Sequence, residues 1–223
     1  MSKESSHRVD TIENTYTDLG ATTKEAFEIS EKSRKLARVT IGNATPEDRI
    51  RQRCSVAVGD FLMADLIRFH SDPVQEGLAA LAAGAPIITD IRMIQVGIQK
   101  KGHQSEVSCA LDFDEGAKEQ GITRTSKGFQ NLGGKVNGAV IVIGNAPSAL
   151  LTVCRMIREG YMPSLVIGTP VGFVNAAESK EMLRTIDIPS ISTEKTRGGT
   201  PVAVAAINEI ITMYAEQQDR KKS

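Results

Sequence analysis

The order of apolar and polar positions in the second half of the chain predicts buried strands that alternate with helices. Residues 140–143 and 165–167 are short apolar runs rich in valine and isoleucine, and each ends abruptly in glycine, proline and small residues. Such runs are typical of strands buried on both faces of a parallel sheet. The alternation implies right-handed crossovers, with helices on both faces of the sheet. We therefore predict an α/β fold: a single domain of three layers, with a mostly parallel sheet flanked by helices.

Capping residues, prolines and glycines divide the chain into its elements. Thr45-Pro46 and Asp72-Pro73 each place proline at the first position of a predicted helix, where its missing N–H costs no hydrogen bond. The predicted helices are residues 23–38, 45–58, 72–84, 114–120, 124–132, 147–159, 176–184 and 201–214. The predicted strands are residues 86–89, 106–110, 139–143, 165–167 and 190–192. The predicted domain spans residues 22–215, between a flexible N-terminal tail (1–21) and a polar C-terminal tail (216–223).

Composition and charge exclude several classes of function. The chain has 27 basic and 27 acidic side chains, whereas a nucleic-acid-binding domain usually has a basic surplus. Its first ten residues are polar, and no apolar run approaches the roughly 20 residues of a membrane helix, so we expect no signal peptide and no membrane segment. The three cysteines are widely separated, which favours reduced thiols in the cytoplasm. No histidine pairs with a cysteine at zinc-ligand spacing, so no metal site is expected.

Three glycine-rich loops follow predicted strands at the edge where such sheets bind ligands. They are Gly144-Asn145-Ala146-Pro147, Pro170-Val171-Gly172 and Arg197-Gly198-Gly199-Thr200. Each opens a helix or turn whose backbone N–H groups are able to face an anion, although structural turns use the same residues. None of them has the glycine spacing of a dinucleotide loop or the lysine of a phosphate-binding loop. The pattern favours a polycarboxylate ligand over a nucleotide.

These loops and several other motifs resemble the precorrin-8X methylmutase family. The matching motifs, in order, are Gly59-Asp60-Phe61, Thr89-Asp90, Thr123-Arg124, Gly144-Asn145-Ala146-Pro147, Pro170-Val171-Gly172-Phe173-Val174, Ala176-Ala177-Glu178-Ser179-Lys180 and Gly198-Gly199. The resemblance covers roughly residues 22–215. It implies an isomerase of cobalamin biosynthesis that moves a methyl group from ring carbon 11 to ring carbon 12 of precorrin-8 or cobalt-precorrin-8. It also implies no cofactor, a tetrapyrrole substrate and a homodimer with the site at its interface.

The resemblance carries a set of substrate-binding residues onto this chain. Arg124 is the expected cation for a carboxylate arm, with a surface ion pair at a helix start as the alternative. Ser33 either bonds the substrate or bonds back to its own helix, and Asp90 either orients donors or caps the next segment. The full substrate-binding set is Ser33, Asp90, Thr123, Arg124, Gly144, Asn145 and Gly172.

One position departs from the family pattern. Family members carry a catalytic histidine four residues before the aspartate of Gly-Asp-Phe, and that position here is Val56. Valine has no proton to exchange, so it cannot act as an acid or base. Either the chain is a methylmutase that works by positioning and electrostatics, with acid catalysis lost or supplied elsewhere, or it is a divergent tetrapyrrole-binding homologue with little or no turnover. His70 and His103 are the candidates for a substitute acid, although neither occupies the family position. An α/β enzyme acting on an unrelated anionic substrate is a third hypothesis.

Overall fold

Eight α-helices and six β-strands build residues 23–222, which is the part of the chain that this computed structural model describes. The helices are α1 Lys24–Ile41, α2 Pro46–Val58, α3 Pro73–Ala82, α4 Arg92–Gly97, α5 Arg124–Leu132, α6 Pro147–Arg158, α7 Ala176–Arg184 and α8 Thr200–Lys222. The strands are β1 Ile67–His70, β2 Ile87–Thr89, β3 Val107–Cys109, β4 Val140–Ile143, β5 Leu165–Gly168 and β6 Ser190–Thr193. Among these helices, none combines the length and the hydropathy that a membrane span requires.

The six strands form one sheet in the order β1-β6-β5-β4-β2-β3. Every neighbouring pair is parallel except β1 with β6, which are antiparallel at the sheet edge. The predicted mostly parallel sheet is thus confirmed. The chain runs from β4 to β6 in one direction and from β2 to β3 in the other, so the strand order reverses between β4 and β2. Open α/β sheets bind ligands outside the carboxyl ends of the strands at such a reversal.

Alternate residues of β4 enter two separate cores, because successive side chains of a strand point to opposite faces. Val140 and Val142 pack with the apolar residues of α2, α3 and α8 on one face of the sheet. Ile141 and Ile143 pack with those of α5, α6 and α7 on the other. All four side chains are fully buried. This arrangement confirms the predicted three layers.

Most helix boundaries agree with the sequence, and α2 shows why. The Thr45 hydroxyl accepts a hydrogen bond from the Asp48 N–H at 3.3 Å, and the Asp48 carboxylate accepts one from the Thr45 N–H at 3.1 Å. This reciprocal cap and the proline beside it are encoded within four residues. The left-handed Gly59 ends the helix at the predicted place.

Several predicted boundaries and elements differ from the structure. Residues 114–120 form turns rather than a helix, because Gly116 adopts a φ of +81° that interrupts helical geometry. Strand β1 and helix α4 were not predicted, since β1 contains Arg68 and His70 and α4 has only six residues. Residues 216–222, predicted as a polar tail, continue α8 as far as Lys222. The predicted N-terminal tail lies outside the described residues.

Candidate functional site

Asp90 lies just beyond the carboxyl end of β2, at the point where the strand order reverses. Its carboxylate accepts hydrogen bonds from the backbone N–H groups of Asn145 at 2.9 Å, Ala146 at 2.8 Å and Gly144 at 3.4 Å. Burial raises the pKa of Asp90, and the three amide donors oppose that rise. From the sequence we expected these amides to face a substrate anion. In the structure they hold the carboxylate of Asp90 instead, so Asp90 positions the loop after β4.

The loops that follow β4, β5 and β6 meet at the beginning of α8. Gly144 packs against Thr200 and Ala203 so closely that a Cβ there would lie 2.8 Å from that of Ala203. The Gly199 N–H donates to the carbonyl oxygen of Thr169, after β5, at 2.7 Å. Gly198 has a φ of +153°, and a Cβ on it would overlap that same oxygen. The first turn of α8 therefore takes its position from all three loops, as the sequence predicted for a shared rim.

A buried lysine of α7 stabilises the loop between β6 and α8. Lys180, on α7, donates to the Thr193 hydroxyl at 3.1 Å and to the Arg197 carbonyl at 2.7 Å. Burial, with a smaller contribution from the charge of Arg184, lowers the pKa of Lys180 to about 8. Gly172 donates its N–H to the Thr196 carbonyl of the same loop at 3.1 Å. Gly172 thus supports this loop through its backbone.

An ion pair ties the same loop to the end of α2. The Arg197 guanidinium bonds the carboxylate of Asp60, which also caps the following 3₁₀-helix by accepting from the Leu62 N–H at 2.9 Å. The guanidinium is the chief reason that the pKa of Asp60 lies below its usual value. The Gly-Asp-Phe motif is thereby joined to the loop that leads into α8.

Val56 faces a cleft between α1, α2 and α8. The cleft has a volume of about 370 Å³, and the Val56 side chain that lines it is 39 % exposed. Most of its wall is apolar or small, and the charged groups on it are two guanidinium groups. The lining residues are Ser30, Arg34, Arg53, Val56, Ala57, Pro201, Val204, Ala205 and Asn208.

Both guanidinium groups are fixed by one buried carboxylate. Glu209 on α8 has a fully buried side chain and receives hydrogen bonds from Arg34, from Arg49 at 2.8 Å and from Arg53 at 3.1 Å. Burial acts to raise the pKa of Glu209, but the three cations outweigh it and the pKa lies below its usual value. Glu209 therefore stays ionised and binds α1, α2 and α8 together beside the cleft.

The remaining predicted site residues lie apart from this cleft. Thr123 caps α5 and hydrogen-bonds the Ser148 hydroxyl of α6 at 2.8 Å. Arg124 is largely exposed and pairs with Asp114, which is the alternative that the sequence left open for it. Ser33 is half-buried on α1 next to Arg34, but it does not line the cleft. Within the described residues, no cluster of three His, Cys, Asp or Glu side chains could hold a metal ion.

The charged residues in and beside the cleft were not predicted from the sequence. None of the three residues Arg34, Arg53 and Glu209 belongs to a recognised motif. Glu209 is, however, the only charged residue in the apolar stretch 202–213. Arg49 and Arg53, four residues apart, share one face of α2. A lone buried acid and a pair of arginines at helical spacing were the available signals for a buried ion cluster.

The chain is similar to known proteins along nearly its whole length. Residues 28–213 match the family model for precorrin-8X methylmutase. Cobalt-precorrin-8 methylmutase of Methanocaldococcus jannaschii is 39% identical over 214 residues, which span 90% of this chain and 99% of that protein. Precorrin-8X methylmutase of Pseudomonas aeruginosa is 38% identical over 173 residues, 74% of this chain and 83% of that one. The crystal structure of precorrin-8X methylmutase from Thermus thermophilus superposes with a TM-score of 0.79 at 34% identity, covering 86% and 97% of the two chains.

Proposed function

Because this chain belongs to the precorrin-8X methylmutase family, we propose that it moves a methyl group from ring carbon 11 to ring carbon 12 of precorrin-8 or cobalt-precorrin-8. The reaction is intramolecular. The bond from the methyl group to carbon 11 breaks as the bond to carbon 12 forms, so no electrons enter or leave and no cofactor is consumed. The protein must therefore bind the macrocycle, orient it and stabilise the charge that shifts during migration.

The observation that carries this proposal is the cleft beside Val56. Its wall combines apolar side chains, such as Val204 and Pro201, with the guanidinium groups of Arg34 and Arg53. A tetrapyrrole has a flat apolar centre and a rim of carboxylate arms. A site for such a ligand must bury the apolar ring and must offer cations to the carboxylate arms.

Val56 determines how the reaction is catalysed. A general acid or base contributes about 100- to 10,000-fold to a rate, and valine supplies neither. Holding the reacting carbons in a productive geometry contributes independently of proton transfer, and this contribution is retained when the histidine is absent. We infer that this chain is a slow methylmutase that acts through positioning and electrostatics.

The test is anaerobic conversion of precorrin-8 and of cobalt-precorrin-8, followed by the visible spectrum. The wild type is expected to convert at least one of them, and Val56→His to convert it about 100- to 10,000-fold faster. Val56→Asn is the matched control, because it adds a hydrogen-bonding side chain that does not titrate near neutral pH. Tight binding with turnover only in Val56→His would instead make the wild type a tetrapyrrole-binding homologue. A chain that binds neither compound would contradict both.

We also infer that the chain acts as a homodimer. The cleft volume is near the lower end of the roughly 300–1,000 Å³ that encloses a drug-sized ligand, and a tetrapyrrole with its arms is larger than such ligands. Apolar side chains lie exposed on α1 at Ile29, Leu36 and Val39 and in the loop after β5 at Phe173. A second copy packed on α1 would cover the exposed side chains of that helix and complete the enclosure of the macrocycle.

We assign the reaction to the cytoplasm on the state of the thiols. Cys54, Cys109 and Cys154 are all free and buried. Burial raises the pKa of Cys54 and of Cys154 to about 12. Reduced cysteines of this kind are typical of proteins that stay in a reducing compartment.

A further inference from the structure

Arg53 combines a fixed position in the cleft with an unused hydrogen-bonding edge. Its Nη1 donates to the Glu209 carboxylate at 3.1 Å and to the Thr212 hydroxyl at 3.0 Å. Within residues 23–222 these are the only hydrogen bonds of its side chain, so no described residue accepts from its Nε or Nη2. The side chain is 18% exposed, and it lines the cleft together with Val56.

The anchoring of Arg53 is rigid. Glu209 is fully buried and is also held by Arg49, while the Thr212 hydroxyl donates to the Asn208 carbonyl one turn earlier at 2.9 Å. Both hydrogen-bond partners of Arg53 therefore lie on α8, whereas Arg53 itself lies on α2. A guanidinium group that is held through one nitrogen presents its other two nitrogens as a planar pair of donors. Because the side chain is already fixed, it loses little conformational entropy when a ligand binds.

Asn208, another polar residue of this wall, already has partners for its side chain. Asn208 donates from Nδ2 to the Gly97 carbonyl at 2.9 Å and accepts from the Gln99 N–H at 2.9 Å. The apolar side chain of Val56 lies one turn from Arg53 on the same face of α2, and Val204 and Pro201 of α8 also line the cleft. Water is partly excluded there, and a charge-assisted hydrogen bond is stronger in such surroundings than in bulk solvent.

We propose that the Nε–Nη2 edge of Arg53 binds a carboxylate arm of the tetrapyrrole in a bidentate pair, with Glu209 and Thr212 as the positioning residues that aim it. The inference rests on the proposed function, because it names the group that recognises that substrate. The paired carboxylate would place the macrocycle against Val56 and Ala57. Arg53 thus supplies binding in the cleft, while it transfers no proton.

The experiment compares Arg53→Gln with two matched controls on the same helix. Arg49→Gln removes another cation from Glu209, but Arg49 does not line the cleft. Arg51→Gln removes the same charge from a side chain that pairs with Asp48, away from the cleft. For the conversion of cobalt-precorrin-8, Arg53→Gln is expected to raise KM by about 10- to 100-fold and to change kcat by less than about threefold. Arg51→Gln is expected to stay within about threefold of the wild-type KM. Arg49→Gln loosens Glu209 without removing the proposed carboxylate-binding edge, so its KM is expected to rise by less than that of Arg53→Gln.

Each outcome bears on one claim. A wild type that neither binds nor converts the substrate overturns the proposed function itself. A wild type that converts it, with an unchanged KM in Arg53→Gln, overturns the role of Arg53 alone. Equal losses in Arg53→Gln and Arg49→Gln would mean that Arg53 acts only through the ion cluster. Should Arg53→Gln not fold, Arg53→Lys keeps the charge without the planar fork and is expected to raise KM by about tenfold.

Discussion

At Asp90, one buried carboxylate organises a loop that belongs to a neighbouring strand. Its oxygens accept from three consecutive amides, those of Gly144, Asn145 and Ala146. The same loop packs against the first turn of α8, which carries part of the cleft wall. Asp90 acts on the site through this loop, without lining the cleft.

Removing the Asp90 carboxylate leaves those amides without their acceptor. Asp90→Ala is expected to lower the free energy of unfolding by about 1–3 kcal/mol. The reason is that the three backbone N–H groups lose their acceptor, and a buried donor without a partner is unfavourable. Urea unfolding at pH 7 measures the change. Asp90→Asn, which keeps one oxygen acceptor, is expected to lie between Ala and the wild type. A variant Asp90→Ala as stable as the wild type would show that the loop holds its shape unaided.

The residues of the cleft show why a single sequence reveals motifs more readily than ion clusters. Val56 was identifiable because its neighbours Gly59 and Asp60 are adjacent in the chain. The partners Arg34 and Glu209 stand 175 positions apart, and only the packing of α1 on α2 and α8 brings them together. Arg124 was expected to bind substrate because of its type, but its pairing with Asp114 depends on turns that the sequence did not predict.

At the scale of elements, the loop between β6 and α8 depends on α7. The Lys180 amine donates to the Thr193 hydroxyl at the end of β6 and to the Arg197 carbonyl within the loop. Its pKa of about 8 lies below the 10.5 of an exposed lysine. Between these two values the unfolded chain binds more protons than the folded chain, so stability rises with pH across this interval and is lost as the pH falls back through 8.

The stability difference between the wild type and Lys180→Met is therefore expected to depend on pH. Relative to Lys180→Met, the wild type gains about 3 kcal/mol in the free energy of unfolding as the pH rises from 7.5 to 10.5, as estimated from the pKa difference. Urea unfolding at a series of pH values checks this. Lys118→Met, at an exposed position, serves as the control and is expected to show no such change. A constant difference for Lys180→Met would contradict the lowered pKa.

At the scale of the whole molecule, the sheet and its layers followed from local signals. Fully apolar strands such as β4 predict burial on both faces, and the glycines and prolines after them mark the rim. The antiparallel β1 escaped prediction because an edge strand with Arg68 and His70 lacks that apolar signature. The continuation of α8 to Lys222 was not predicted, because tertiary contacts order the polar residues there. One of these contacts is the ion pair of Glu216 with Arg49 at 2.7 Å.

The exposed apolar face of α1 leads to a prediction about assembly. Val39 is 80% exposed although it is apolar, and it lies in the same helix as Leu36 and the cleft residue Arg34. Light scattering after size exclusion is expected to give twice the mass of one chain for the wild type. Val39→Asp is expected to shift the protein toward monomer and to lower the rate of conversion, whereas Lys35→Asp, at an already polar exposed position, is the control. A wild type that stays monomeric at all concentrations would contradict the homodimer.

Methyl migration from ring carbon 11 to ring carbon 12 is tested by following the methyl group itself. Precorrin-8 and cobalt-precorrin-8 carrying ¹³C in the methyl group on ring carbon 11 would be incubated with the wild-type protein without oxygen, and the product examined by NMR. The label is expected to appear on ring carbon 12 of the same molecule, without exchange between labelled and unlabelled substrate. A label that remains on carbon 11 of both compounds, although the protein binds them, would contradict this migration.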